Sequence, residues 1–362
     1  MDVGLFISCC YFQIILLIIF RHCRRGEYDI PDKKLWFYMM LFIVYATYGN
    51  HFGDYFRYDE MIMNYGKTPW FDVGVQMEPQ YYHLAKIVNG NPLLWRLTIS
   101  CISFIGLGFF LKQSDMNNYP TLLFFAVASL FWVAGHRGWW GIIYFFFGVY
   151  LCFYKKKLWY LIFCFVVLYS HASHLAMLCL LPLAFFRFNK YIAIIAIAAM
   201  FGFTAVFQDY FNSFLMSGME DEYAAEKINA YTAQGGNKFL GDSIGEILQN
   251  VTSKGPSFVF LFYLFWKMIF DKSFRLRMSR EVSALSNISF GLSITSILFI
   301  LMNMNSGTFS TRLFTMASFP IMLIAPSILT KDKRKYYMKY IKWRWISIEL
   351  TYFFALYYSS FR

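Results

Sequence analysis

Apolar runs separated by short charged loops repeat along the whole chain. Their limits predict helices at 3–20, 35–50, 92–111, 120–135, 139–154, 158–174, 175–187, 191–207, 255–270, 283–303 and 312–329. A further segment, 341–359, has a basic start and carries Glu349, so it reads either as a span or as a helix lying in the interface. A membrane helix needs roughly 20 consecutive apolar residues, and many of these runs approach that length. A membrane β-barrel would instead show alternating segments of about 10 residues, which this chain lacks. The expectation is an all-α polytopic membrane protein with about 11–12 transmembrane helices, folded as one membrane domain over residues 1–362. The first run, Val3–Phe20, has neither a basic leader nor a small-residue cleavage site and reads as a retained helix.

One stretch organises the rest. Arg137 opens an apolar run, Lys155, Lys156 and Lys157 divide it from a second, and His171 and His174 close the second. At about 1.5 Å of rise per residue each leg is roughly 28 Å long, close to the thickness of a bilayer core. A descending and a returning helix would therefore bring Arg137 and both histidines to one membrane face.

Composition supports a membrane protein: 58% of residues are hydrophobic, 22% aromatic and only 15% charged, with 43 Phe and 27 Tyr. Soluble domains carry about 25% charged residues. The net charge of +12 could suggest nucleic acid, but the distribution of the cations argues against it. With loop 21–34 placed in the cytoplasm, 22 of the 33 basic residues fall on that side, while 13 of the 21 acids fall on the other. Positive charge concentrates in cytoplasmic loops, so this skew puts the N-terminus, Arg137 and the histidines outside. Two outer loops are long, 51–91 and 208–254, and loops of that length are usually functional or disordered. The first is rich in Tyr, Trp and Phe and should be ordered against the membrane. The seven cysteines are scattered without a CxxC, which predicts neither a disulfide framework nor a zinc site.

Several residues carry candidate chemistry. Arg137 and Arg312 each sit at the predicted start of a helix on the outer face, where a cation opposes the helix dipole. A diphosphate would reverse that sign, since helix N-termini and guanidinium forks both suit phosphate oxygens. Snorkelling interfacial arginines are the plainer alternative. His171 and His174 are spaced i,i+3 on one predicted helix face. A neutral imidazole there suits proton abstraction near neutrality. A hydrogen-bonded core histidine is the plainer reading, and no further ligands stand nearby to make a metal site. Asp54, Arg57 and Tyr58 follow the second span, and Glu78 opens a short amphipathic stretch, Pro79–Val88. They suit sugar hydroxyls or a supporting role, or they are a solvated loop. The sequence shows no phosphate-binding glycine loop, no DxD pair and no GxSxG elbow. It shows no internal repeat either, which counts against an inverted-repeat transporter.

Four separated pieces resemble the EpsG family of Wzy-like polysaccharide polymerases. They are Asp54-Tyr55-Phe56-Arg57-Tyr58, Glu78-Pro79-Gln80-Tyr81-Tyr82 with Leu84 and Lys86, the hairpin from Arg137-Gly138 to His174 and Pro182, and Arg312-Leu313-Phe314. They run in order over roughly 50–330. The chain departs from the family pattern after the histidine, where Ala176 replaces a small polar residue and His171 adds a second imidazole upstream. The spacing to Pro182 favours His174.

The resemblance implies a GT-C-like membrane glycosyltransferase. Such an enzyme joins undecaprenyl-diphosphate-linked oligosaccharides at the periplasmic face of the bacterial inner membrane into O-antigen, capsule or exopolysaccharide. The catalytic candidates are then His174, His171 and Glu78. The substrate-binding candidates are Arg137, Arg312, Arg57, Asp54 and Tyr58. No metal and no cofactor are expected. Partners would be the lipid-linked oligosaccharide and the bilayer, together with a chain-length regulator and a flippase of the same pathway, and no nucleic acid. A flippase for a lipid-linked oligosaccharide and a membrane acyltransferase are the rival readings.

Overall fold

The computed structural model describes residues 3–48, 55–68, 79–127, 139–171, 174–202, 244–301, 307–328, 338–339, 341–346, 348–350 and 353. Among them every element is helical, and the only extended pairing is an isolated bridge between Asp29 and Asn118. The all-α expectation therefore holds. Among the described residues, three helices are long and apolar enough to cross a membrane: Val3–Arg24, Pro92–Gln113 and Arg280–Leu301. Shorter apolar helical segments accompany them, including Trp139–Tyr154 and Leu158–Ser170.

The chain divides into two compact units, Met1–Leu178 with Met322–Arg362, and Cys179–Ile321. The first unit begins with α1 (Val3–Arg24), α2 (Asp32–Tyr48), α3 (Tyr55–Lys67), α4 (Pro79–Ile87), α5 (Pro92–Gln113) and α6 (Tyr119–Phe125). It continues with α7 (Trp139–Tyr154), a 3-10 helix over Leu158–Val166, and the single α-helical turn α8 (Val167–Ser170). Helix α2 packs on α5, α5 on α7, and α1 on α6. A last helical stretch returns to α1, where the Trp345 indole donates to Gln13 Oε1 at 3.0 Å and its ring meets Phe20 edge-on.

Turn chemistry sets the helix ends. Asn91 caps α5 by accepting from the Leu94 amide at 3.1 Å, with Pro92 in the first turn, and Asn118 caps α6 in the same way through Thr121. Before α5 the chain reverses through Asn89 and Gly90, both at positive φ (51° and 69°). Gly66 of α3 lies against that turn. A Cβ at Gly66 would stand 2.4 Å from the Gly90 Cα, so only glycine allows α3 to come this close.

The second unit holds a 3-10 turn over Leu181–Phe185, α10 (Lys190–Gly202), α11 (Ile244–Phe270), α12 (Lys272–Arg277), α13 (Arg280–Leu301) and α14 (Gly307–Ser318). Helix α13 packs against α14 and against the Leu181–Phe185 turn. The Asn287 amide clamps that turn by donating to the carbonyls of Leu183 and Phe186 at 3.1 and 3.0 Å. The bounds of α9 (Leu175–Leu180) and α15 (Ile321–Ile328) straddle the two units.

Parts of both long segments that the hydropathy pattern reads as loops are helical. Much of 51–91 is helical, as α3 and α4, and residues 244–254 belong to α11. Polar helices do not register as apolar runs, so hydropathy alone reads them as loops.

Candidate functional site

The hairpin after Arg137 is where the first unit becomes chemically specific. Its first leg, α7, has 16 residues and spans about 24 Å. Its second leg has nine 3-10 residues and then four α-helical ones. A 3-10 helix rises about 2.0 Å per residue, so this 13-residue leg also spans about 24 Å. The two legs come level because the shorter one is wound more tightly and stretched further. Between them the chain turns at Lys156, with φ 54°, and the Lys157 amide donates back to the Cys152 carbonyl at 3.0 Å, a Schellman closure.

Two glycines of α7 let the legs meet. A Cβ at Gly148 would stand 3.0 Å from the Tyr160 carbonyl and 3.1 Å from the Phe163 Cβ. A Cβ at Gly141, in the first turn of α7, would stand 2.1 Å from Ser170 Oγ and 3.3 Å from His174 Nδ1. The described beginning of α7 is thus packed directly against the histidine segment.

Ser170 is the last residue of α8 and fully buried. Its Oγ lies 3.2 Å from the Val167 carbonyl and 2.9 Å from His174 Nδ1. His171 leaves the helix with an extended backbone (φ −160°, ψ 138°). The two histidines therefore do not share one continuous helix, contrary to the expectation from their spacing. A turn restores their proximity: the His174 amide donates to the His171 carbonyl at 2.9 Å, and the rings stand 5.3 Å apart. Both imidazoles are buried.

An aromatic cluster closes over this end of the hairpin. Tyr58 of α3, Tyr81 of α4 and Trp95 of α5 stack in sequence, with centroids 5.4 and 5.2 Å apart. Trp140 of α7 belongs to the same buried cluster, and Tyr169 of α8 packs on it. His83 of α4 stacks on Tyr169 at 5.8 Å. Each such ring pair contributes about 0.5–1.5 kcal/mol beyond area burial. The polar anchor is Arg96, a buried residue of α5 that pairs with Asp59 of α3 and donates from Nε to the Thr47 carbonyl at 3.2 Å. Helices α3 and α4 are thus held against α5 and the beginning of α7.

The sequence candidates divide as follows. His171 and His174 come together. Tyr58 is buried in the stack. Arg57 belongs to the first turn of α3. Asp54, Glu78 and Arg137 lie outside the described residues. Arg312 is in the second unit, on the second turn of α14, which begins at Gly307. It is therefore not the helix-opening residue that the sequence pattern predicts, and the helix-dipole argument does not apply to it. A different neighbour replaces that argument: Lys254 of α11 donates to Thr311, the residue before Arg312, at 3.2 Å. Lys254 thus reaches α14 at the residue that precedes Arg312, where α11 packs on α14.

Sequence reasoning missed Ser170, Gly141, Lys254 and the Arg96–Asp59 pair. A glycine inside an apolar helical run is a readable sign of close packing, and Gly141 carries it. A serine four residues before a histidine carries no comparable sign. All seven cysteines are free thiols. Among the described residues no three His, Cys, Asp or Glu side chains gather as a metal site.

These features define an α-helical membrane protein with a buried imidazole pair at the meeting of two apolar legs. The chain belongs to the EpsG family, a family of Wzy-like polysaccharide polymerases, whose sequence profile matches residues 33–362. No curated protein and no solved structure matches it.

Proposed function

We propose that this protein is a membrane glycosyltransferase that polymerises polyprenyl-diphosphate-linked oligosaccharide repeat units at the periplasmic face of the bacterial inner membrane. The observation that carries the reading is the buried His171–His174 pair, held at the end of the hairpin in a member of a polysaccharide polymerase family. The donor is a glycan chain on a lipid diphosphate, and the acceptor is a lipid-linked repeat unit. The acceptor hydroxyl attacks the anomeric carbon of the donor while His174 or His171 takes its proton. Glu78 is the alternative base.

The lipid diphosphate leaves with the electron pair of the broken bond. Arg137 and Arg312 hold it and stabilise the charge that develops on its oxygens. Lys254, bonded to Thr311 next to Arg312 in the chain, adds a third cation for the same phosphates. Asp54 and Arg57 orient sugars or the arginines. Tyr58 anchors α3, the helix that carries Arg57. One displacement without a covalent intermediate inverts the anomeric configuration. A chain-length regulator and a flippase of the same pathway are the expected protein partners.

The competing reading, a flippase for the same lipid-linked oligosaccharide, would use the cations without making a bond. A deletion strain separates the two. Loss of a polymerase leaves single repeat units on the cell surface. Loss of a flippase leaves none there, and that result would overturn the proposal. Unchanged polymer length with a missing acyl group would instead identify an acyltransferase.

A further inference from the structure

The Ser170–His174 contact distinguishes the two nitrogens of one imidazole. A serine hydroxyl has one proton to give. The carbonyl of Val167, 3.2 Å from Ser170 Oγ, can only accept, and giving it that proton is the arrangement that satisfies both contacts. At the second contact, 2.9 Å to His174 Nδ1, the oxygen must then accept and the imidazole must donate. In its neutral form His174 carries its proton on Nδ1, and Nε2 holds the lone pair.

We infer that Ser170 is a positioning residue that locks His174 in the Nδ1–H tautomer, making His174 Nε2 the proton acceptor of the glycosyl transfer. The inference rests on the polymerase reading above and selects one nitrogen of one histidine within it. As the acceptor oxygen bonds to the anomeric carbon, its proton passes to Nε2. The bond from that carbon to the diphosphate oxygen breaks, and the imidazolium later returns the proton to water. The Nδ1–H to Ser170 bond persists throughout and strengthens when the ring becomes cationic, because hydrogen bonds from charged donors are about twice as strong.

Gly141 completes the device. Ser170 is wedged between α7 and its own turn, and a side chain at 141 would occupy the place of the hydroxyl. The arrangement is that of a base oriented by a neighbouring hydrogen-bond acceptor, with a hydroxyl in the place a carboxylate often takes. His171 has no such contact with Ser170 among the described hydrogen bonds; its backbone carbonyl instead fixes the His174 amide.

The test uses the full-length protein in native membranes or proteoliposomes, with a lipid-diphosphate-linked repeat unit as substrate. Ser170→Ala should lower kcat about tenfold with KM unchanged, and Ser170→Cys, a weaker acceptor of nearly the same shape, should fall between. Loss of the oxygen removes a partner that favours the imidazolium, so the acidic limb of the kcat profile should move to lower pH in Ser170→Ala. The titratable groups on the packed elements are His171, Tyr169, and Tyr81, Tyr82, His83 and Lys86 of α4, with Tyr144, Tyr150, Cys152, Tyr154, Tyr160 and Cys164 on the two legs.

The outcomes are separable. If Ser170→Ala keeps the wild-type kcat and pH profile while His174→Ala is inactive, the positioning role fails and the histidine base stands. If both histidine variants polymerise normally, the base assignment itself fails. A fall in kcat with an unmoved pH limb, and with Ser170→Cys no better than Ser170→Ala, would mark Ser170 as packing only and overturn the inference.

Discussion

Gly141 and Ser170 approach so closely that a methyl group on the glycine would stand 2.1 Å from the serine oxygen. This contact joins the two legs of the hairpin at the level of the histidines. Gly141→Ala gains roughly 0.5–1 kcal/mol of helix propensity. It loses more, because overpacking a tight contact costs about 1–3 kcal/mol. We expect a lower melting temperature in detergent and a larger loss of polymer synthesis, since the displaced group is the partner of His174. An unchanged melting temperature with full activity would show that the legs can part there without consequence.

The Arg96–Asp59 pair supports a different prediction. Arg96 is buried and Asp59 only partly so, so removing Asp59 costs less than the roughly 3–5 kcal/mol of a fully buried pair, whereas replacing both by apolar groups is often neutral. Asp59→Ala should therefore detach α3 from α5 and expose the α3–α4 segment to protease. The double variant Asp59→Leu with Arg96→Met should recover protection. If Asp59→Ala resists protease as the wild type does, the aromatic stack alone holds the segment.

Arg312 should be indispensable for a reason that excludes a simple charge. Arg312→Ala should abolish polymer with normal protein in the membrane, and Arg312→Lys should recover little, because an ammonium cannot offer the planar fork that phosphate oxygens accept. Arg137→Ala should behave like Arg312→Ala. Lys254→Met should raise KM for the lipid-linked substrate about tenfold, equivalent to about 1.4 kcal/mol. Full-length polymer from Arg312→Ala or Arg137→Ala would remove the diphosphate role.

Polymerisation should survive exhaustive chelation, since arginines rather than a divalent cation are assigned to the leaving diphosphate. Reconstituted protein treated with a strong chelator and assayed with and without added magnesium checks this. Loss of activity that magnesium restores would contradict it.

Much of this arrangement is legible in the sequence. Equal apolar legs around Lys155–Lys157 predict a hairpin, and α7 with its returning leg forms one. The tight winding of Leu158–Val166 is not legible. That run is apolar throughout, so neither a period of 3.6 nor one of 3.0 shows in it. The break at His171 is hidden for a related reason: no glycine or proline marks it. The start of α14 at Gly307 is masked by polar residues that read as a turn, which displaces Arg312 from the helix end to its second turn. Ser170 could not be found from sequence, because its value lies in two contacts, to Val167 and His174, that exist only once the chain leaves the helix. Among the aromatic residues of 51–91, Tyr58, Tyr81 and Tyr82 are buried in packed helices, the kind of burial that large aromatic side chains favour.

The central claim is that this protein lengthens a glycan. The most direct measurement is the size of the lipid-released product after purified protein in liposomes is given a single lipid-diphosphate-linked repeat unit. A polymerase yields a ladder of products at intervals of one repeat, absent with His174→Ala. Product that stays at one repeat unit with active wild-type protein, or a ladder that persists with both His171→Ala and His174→Ala, would contradict it.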